Sequence, residues 1–496
     1  LYTYQDWLRV PEGEKENFLR SVITAHTSSP EYRFAETAEK YYRRKNETIM
    51  NFRKLLYTVT GKQIPDNYST NYKLRSNWFN YFTSQLNQYL LSNGVTWADD
   101  ATKETLGPKF DTQLKKLSRY ALVQRAGFGF WNLDHLEPYG FLEFAPLYDE
   151  ETGALMAGAR FWRLDESRPL RATMFEPDGY TEYIWRTDTS DGKETGDILR
   201  EKRPYIQVTR TTEAEGTEIY DGQNYPTFPV VPLYGIDKQS ELEGRQELID
   251  CFDLIESGFA NTVEEASYIY WAINNAEGMH EIDLAKFVER VKTMHTAFTG
   301  GGNGAHAEPH SLEAPYSSRS ALLNELREAL FYSFKAFDAK QIQSSGAVIA
   351  QIDAAYEALD QKASDYEDNI FEFLDGIMAV TGIDDKPTLT RSKISNTGEQ
   401  IQNVLQSAEY TSSDYTTKKL LTLLGDGDLA DDMIKQMEDD EAERLRGAGF
   451  EDEEYEEQPG DYEEEEHEDI DTEEDDVDMS TSKEIMEMLE KLLKEL

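Results

Sequence analysis

The stretch AVIAQIDAAYEALDQKASDYEDNIFEFLDGIMAV, residues 347–380, sets the frame for reading the rest of the chain. Within it Ile352, Tyr356, Leu359, Ala363, Tyr366, Ile370, Phe373 and Ile377 alternate steps of four and three. That is the heptad rhythm of a helix packing lengthwise against other helices. At 1.5 Å per residue it would extend roughly 50 Å. A helix so long, with Lys, Asp and Glu on its other faces, must lean on neighbours to stay folded. The eight positions are therefore read as a subunit-packing stripe.

Working outward, residues 320–338 place Leu322, Leu326, Leu330, Phe334 and Phe337 on one helical face. Between the two helices lies a short loop of small and polar residues, 339–346. Further back, Leu248, Phe252, Ile255, Phe259, Val263, Ala266 and Tyr270 mark a helix starting near Ser240 and about 27 residues long. Residues 274–278 interrupt it, 282–294 resume as a short helix, and 300–304 form a Gly-rich loop. From 128 to 232 the texture is different: short aromatic or β-branched runs (129–133, 140–144, 157–164, 180–185, 205–209) are divided by Gly, Pro and Asp, with hairpin turns at 150–153 and 188–192. Ahead of that β-rich region, 31–60 reads as an exposed helix or helix pair ended before Pro65. A helix follows at 74–91, with Leu74, Trp78, Phe82, Leu86 and Leu90 on one side and Asn93-Gly94 at its end. Another covers 106–126 through Phe110, Leu114, Leu117 and Ala121. The pattern is α+β.

After the long helix come two helices, 401–409 and 414–424, the second capped from the Thr-Ser-Ser break, then an acidic helix at 429–445. Residues 451–478 hold 19 acidic residues and no Lys or Arg, the composition of disorder. At 482–496 an amphipathic pattern returns through Ile485, Met488, Leu489, Leu492 and Leu493. It either docks on a partner or is nascent helix in solution.

The totals bound the function. With 496 residues the chain exceeds one ordinary domain, and its 29 Tyr, 23 Phe and 7 Trp can build substantial cores. Its 96 acidic against 50 basic residues give a net charge of −46. Such a balance argues against a protein that grips nucleic acid along its whole surface, because phosphate binding draws on Lys and Arg. It is compatible with DNA passing without being held. The single Cys251 forms no intrachain disulfide, and its place beside Phe252 suggests packing. No apolar run reaches membrane-spanning length, so no membrane partner is expected. The sequence begins at Leu1 without a charged n-region and apolar h-region, from which no signal peptide and a native start further upstream are expected.

Chemistry is sparse. Thr60-Gly61-Lys62 has the last letters of a phosphate-binding loop but lacks the glycine-rich turn. His306, Glu308 and His310, near His280 and His295, fall in a polar loop without the His-Glu-x-x-His spacing, and are read as exposed loop residues. Asp426, Asp428, Asp431 and Asp432 miss the twelve-residue calcium pattern. Residues 300–304 have no preceding strand and so are no dinucleotide fingerprint. No enzyme activity, metal or cofactor is expected.

Several ordered segments resemble the portal proteins of tailed bacteriophages, in the branch found in long-tailed phages of Gram-positive hosts. They are residues 71–80 through 89–95, then Phe144-Ala-Pro-Leu-Tyr-Asp149 with Gly158-Ala-Arg-Phe-Trp162. Next come Pro229-Val-Val-Pro-Leu-Tyr234 with 248–262, and Leu312-Glu-Ala-Pro315 with 322–338, Ser344-Ser-Gly346 and the long helix. At 93–94 this chain has Asn-Gly where the family often has Gly-Lys-Pro. The resemblance implies the portal fold of wing, stem, clip and crown: wing 1–239, first stem helix 240–267, clip 268–317, second stem helix 318–338, channel loop 339–346, long wing helix 347–380 and crown 381–450. The segments 451–481 and 482–496 lie beyond it. It further implies a ring of 12 subunits, or 13 in isolation, at one capsid vertex of the virion, assembled in the host cytoplasm. Double-stranded DNA would pass through it, with a terminase, major capsid and scaffolding proteins and a head-tail adaptor as partners. The channel loop would comprise Ala339, Lys340, Gln341, Ile342, Gln343, Ser344, Ser345 and Gly346. For Lys335 and Lys340 two readings stand side by side: they face DNA, or they pair with acidic residues of the adjacent subunit. A coiled-coil virion assembly or scaffolding protein without a DNA channel is the competing identity.

Overall fold

The computed structural model describes residues 2–57, 61–66, 69–187, 194–212, 216–266, 269–274, 306–311, 316–339, 349–392, 397–408, 411–424 and 433–437. The expected helix at 282–294, the loop 340–346, the turn 188–192, the acidic segment 451–481 and the terminal helix 482–496 lie outside them. The chain divides into two compact units, Leu1–Asn403 and Val404–Leu496.

The helices are α1 (Tyr4–Arg9), α2 (Lys15–Ser28), α3 (Pro30–Tyr42), α4 (Glu47–Asn51), α5 (Trp78–Leu91), α6 (Asp100–Leu106), α7 (Phe110–Gln124), α8 (Gln246–Ala266), α9 (Tyr316–Ser333), α10 (Ile349–Thr381), α11 (Thr397–Ser407) and α12 (Ser413–Leu424). Their starts follow local chemistry. Thr3 and Asp6 form a capping box on α1, and Ser29 caps α3 with Pro30 as its first residue. In the second unit the Ser412 hydroxyl accepts from the Tyr415 N–H at the start of α12.

The β-rich region is present from Ala126 to Tyr234. Five antiparallel strands (Phe144–Tyr148, Leu155–Trp162, Leu170–Glu176, Gly179–Thr187, Glu194–Arg203) form a meander in sequence order. A smaller sheet places Ala126–Asn132 between Val230–Tyr234 and His135–Gly140. The turn at 150–153 is built by Asp149, whose carboxylate accepts from the N–H groups of Glu151 and Thr152, while Gly153 takes φ +69°.

The helix α10 fixes the centre. All eight stripe residues are buried, but their cover is this chain's own core. Tyr356 stacks on Phe337 with ring centroids 4.2 Å apart and on Tyr89 at 5.5 Å. The Tyr366 hydroxyl meets Ser118 Oγ at 2.8 Å, and Phe373 lies over Gly129. At Gly376 the helix comes so close to the strand Val230–Tyr234 that a Cβ would stand 2.5 Å from Val231 Cγ1. The heptad rhythm therefore serves intrachain packing, a correction to its reading as a subunit-packing stripe. Burying side chains of this size stabilises by roughly 1.5–3 kcal/mol each for the larger ones.

Other differences have equally local causes. The expected helix at 31–60 is α3 and α4 followed by the strand Leu55–Tyr57, paired with Gln63–Pro65. Residues 106–126 break at Gly107, which takes φ +82° before Pro108. Residues 69–77 precede α5 outside any helix or strand, so Leu74 lies ahead of the helix. Cys251 is exposed, not packed.

Candidate functional site

The feature that most constrains function is the helical pair α8 and α9 with the junction at its base. Ser240 and Glu241 lead into α8 and are pinned to the end of α7: Ser240 Oγ donates to the Val123 carbonyl at 2.6 Å and the Glu241 N–H donates to Leu122 at 2.9 Å. Gly244, at φ +71°, turns the chain into α8. At the far end of α8 the strand Ile269–Asn274 pairs antiparallel with His306–Ser311, in register from Ile269 opposite Ser311 to Asn274 opposite His306. His306, Glu308 and His310 thus occupy strand positions, a correction to the loop expected there. The chain returns as α9.

The two helices are held along their length. Near the paired strands, Arg319 Nη1 donates to the Gly258 carbonyl at 3.0 Å and to Thr262 Oγ1 at 2.6 Å, and the Phe259 and Tyr316 rings meet at 5.8 Å. Toward the base, Trp78, Phe82, Phe252, Phe331 and Phe334 form an aromatic cluster, with Phe82 stacked on Phe334 at 4.6 Å. A different device grips α8 from another side. The N–H groups of Tyr72, Leu74 and Ser76 donate to the side chains of Asn261, Ser257 and Asp253 at 2.6, 2.9 and 2.9 Å. Two residues of extended chain cover roughly 6.6 Å and four of helix about 6 Å, so this strap matches alternate donors to every fourth helix position. Those donors explain why Leu74 is not helical. Asp253 is fully buried, and burial raises its carboxyl above the ordinary range. It also accepts from Asn46 Nδ2.

At the base, α9 ends in a turn where the Ala336 N–H donates to Phe331 and the Lys335 N–H to Tyr332. This is the helix-ending arrangement that puts its penultimate residue in the left-handed region. That residue is Lys335, at φ +47° and exposed. Phe337 follows with both backbone groups held by the Gln85 amide, at 3.1 and 2.9 Å, and Asp338 takes both carboxylate oxygens to Arg327 at 2.9 and 3.0 Å. Ala339 is exposed. Lys340, Gln341, Ile342, Gln343, Ser344, Ser345 and Gly346 lie outside the described residues. The loop's two flanks are thus anchored, by Phe337 and Asp338 on one side and by Ile352 and Tyr356 on the other.

One buried ionic knot ties the junction together. Lys362 of α10 is salt-bridged to Glu241, with side chains 5% and 4% exposed, and its Nζ donates to the Phe334 carbonyl at 2.9 Å. Arg245 joins from the other side: Nη1 lies 3.3 Å from Glu241 Oε2, Nε donates to the Ser333 carbonyl at 2.9 Å, and the guanidinium sits over the Phe334 ring at 5.1 Å. Burial pushes the Lys362 ammonium below its usual range, and the Glu241 carboxylate opposes that shift. The start of α8, the end of α9 and the middle of α10 thus meet on one charge cluster. Sequence reasoning missed it, although a lone Lys at a heptad-flanking position of an otherwise acidic helix was a readable signal.

Among the described residues no cluster of three or more His, Cys, Asp or Glu could hold a metal, and no helix is long and apolar enough to cross a membrane.

The family described as phage portal protein, SPP1 Gp6-like, matches residues 24–341, from within α2 to just past the end of α9. The chain is similar to the portal protein of Bacillus phage SPP1, with 22% identity over 399 residues, covering 74% of this chain and 76% of that protein. It is also similar to the portal protein of Clostridium phage phiCD119, with 24% identity over 169 residues, covering 32% of this chain and 38% of that protein.

Proposed function

This chain belongs to the SPP1 Gp6-like family of phage portal proteins, non-catalytic proteins of the capsid, and from that premise we propose that it is the subunit of a ring that conducts double-stranded DNA at one capsid vertex. In this reading α8 and α9 are the stem and the strands Ile269–Asn274 and His306–Ser311 belong to the clip, within 268–317. Residues 1–239 and α10 form the wing. The crown spans 381–450 and begins with a segment still bound to the core, since Arg391 pairs with Asp360 and Glu367 of α10. The loop 339–346 faces the channel. Twelve copies surround the duplex, a separate terminase drives packaging, and major capsid, scaffolding and head-tail adaptor proteins bind around the ring in the virion.

The observation that carries this reading is the junction. A protein that lets DNA move past it needs long struts fixed at their base, with a short loop hung between two rigid anchors. Helices α8, α9 and α10 meet on the Glu241, Arg245 and Lys362 cluster, and the anchored ends at Phe337–Asp338 and α10 bracket that loop. The competing identity, a coiled-coil assembly protein without a channel, drew on the heptad stripe, and that stripe is consumed in the chain's own core. The acidic balance supports passage without tight phosphate contact. Native mass measurement and electron microscopy of the purified full chain test the proposal. A twelve- or thirteen-fold ring with an open centre is expected, and a chain that stays monomeric at micromolar concentration overturns it.

A further inference from the structure

The strap, α8 and α9 form three consecutive layers. At roughly 100° per residue, the α8 positions that hold the strap (253, 257, 261) point about 170° away from those that meet α9 (Phe259 and Thr262). The same arithmetic on α9 puts Ala321, Glu325, Glu328 and Tyr332 on the side opposite Tyr316 and Arg319, which face α8. Those four are exposed, Tyr332 at 88%. Each end of the stack is therefore an open face, and the two differ in charge. The strap belongs to a run, residues 40–75, with nine Lys and Arg against two acidic residues in a chain of net charge −46. Arg75 is exposed there beside Leu74, which is 39% exposed, and Arg53 is exposed in the segment tied to the strap run by Lys54 Nζ, which donates to the Thr70 carbonyl at 2.6 Å, and by Lys73 Nζ, which donates to the Met50 carbonyl. The α9 face presents Glu325 and Glu328, whereas Arg319 and Arg327 turn inward to Gly258 and Asp338.

We propose that these two faces bind each other between copies of this chain: the strap face of one subunit, through Arg53, Arg75 and Leu74, receives Glu325, Glu328 and Tyr332 on α9 of the next. The partner is a second copy because the opposed charges sit at the two ends of a single three-layer stack. Unlike faces meeting head to tail make a heterologous contact, which closes into a ring when the rotation allows. The proposal rests on the ring reading above and deepens it by assigning the contact. It also gives the basic run a role that does not require DNA.

Charge exchange in the full chain tests it. Arg53→Glu with Arg75→Glu makes the strap face acidic, and Glu325→Arg with Glu328→Arg makes the α9 face basic. Each double variant alone then presents like charges at every junction, and the concentration needed for assembly should rise tenfold or more. An equimolar mixture of the two should assemble again, because each strap face meets an α9 face of opposite sign. Mass photometry reads the species, and circular dichroism checks the fold. The neutral variants Arg75→Gln and Glu328→Gln serve if a charge reversal misfolds, each shifting the assembly midpoint severalfold. Wild-type rings with variants that assemble unchanged overturn this contact and leave the ring reading intact. Variants that fail singly and are not rescued by mixing overturn the pairing. A wild-type chain that never assembles overturns both.

Discussion

Replacing Lys362 with Met keeps the aliphatic length of the side chain and removes only the ammonium. Glu241 then stays buried with Arg245 at 3.3 Å as its remaining partner, and the Phe334 carbonyl loses its 2.9 Å donor. Removing one member of a buried ion pair costs about 3–5 kcal/mol, because the other charge is left desolvated. With Arg245 still present, a loss near the lower end, about 3 kcal/mol, is expected. Adding Glu241→Gln removes the orphaned charge and should recover about 2 kcal/mol, since apolar or neutral replacement of a whole buried pair is often nearly free. A chain of two units need not unfold in one step, so hydrogen exchange at the end of α9 and around residue 362 of α10 is the appropriate readout. There a loss of 3 kcal/mol is roughly a hundredfold drop in protection, at about 1.4 kcal/mol per tenfold. Less than fivefold, or a double variant as damaged as the sum of the two singles, would show that the knot does not hold the junction.

Three further outcomes follow from particular sites. Burial holds the His26 imidazole at about 4, against 6.5 when free, with Nε2 2.9 Å from the Phe141 carbonyl. The unfolded chain therefore takes the proton first as pH falls below 6.5, so this contribution is full above 6.5 and lost on the way to about 4. The linked loss reaches roughly 2 kcal/mol at pH 5; His26→Phe should flatten that part of the urea-midpoint profile between pH 7 and 5. Lys335→Gly relieves a left-handed backbone at φ +47° and should raise denaturant stability by about 1 kcal/mol. Gly376→Ala gains helix preference but drives a Cβ to 2.5 Å from Val231, and a net loss of about 1–2 kcal/mol in the same assay is expected because overpacking outweighs propensity.

Periodicity made α10 visible within two residues of its true start and within one of its end, because a 33-residue amphipathic helix repeats its signal many times over. The β-rich region was equally visible from turn chemistry at Asp149 and Gly153. What periodicity could not reveal was the source of the cover. A buried stripe looks the same whether the chain itself or a second copy lies on it, and here Tyr89, Ser118, Gly129 and Val231 do so. Leu74 was misplaced for a related reason: its spacing to Trp78 fits a helix, yet its N–H is claimed by Ser257, 183 residues away. The ionic knot at Lys362 likewise joins positions 241, 245, 334 and 362, which no local window contains.

That displacement of the stripe bears on how copies of this chain must meet. With the apolar face of α10 already covered, its outer face offers Asp353, Glu357, Asp365, Asp368, Glu372 and Asp375, a surface on which two copies would repel each other. In the proposed ring the like-charge cost disfavours pairing α10 with α10 and favours faces of unlike sign. In the proposed contact the strap and α9 supply such faces, on a stack anchored at its base by Glu241, Arg245 and Lys362. A contact made there would set the tilt of α8 and α9, and through Phe337 and Asp338 the position of the loop that follows. Weakening the knot should therefore disturb ring geometry even where every contact residue is intact. In wild-type and Lys362→Met rings compared by electron microscopy, a change in channel diameter without loss of subunits is the result that this coupling requires, and rings of identical diameter would show that the base and the contact are independent.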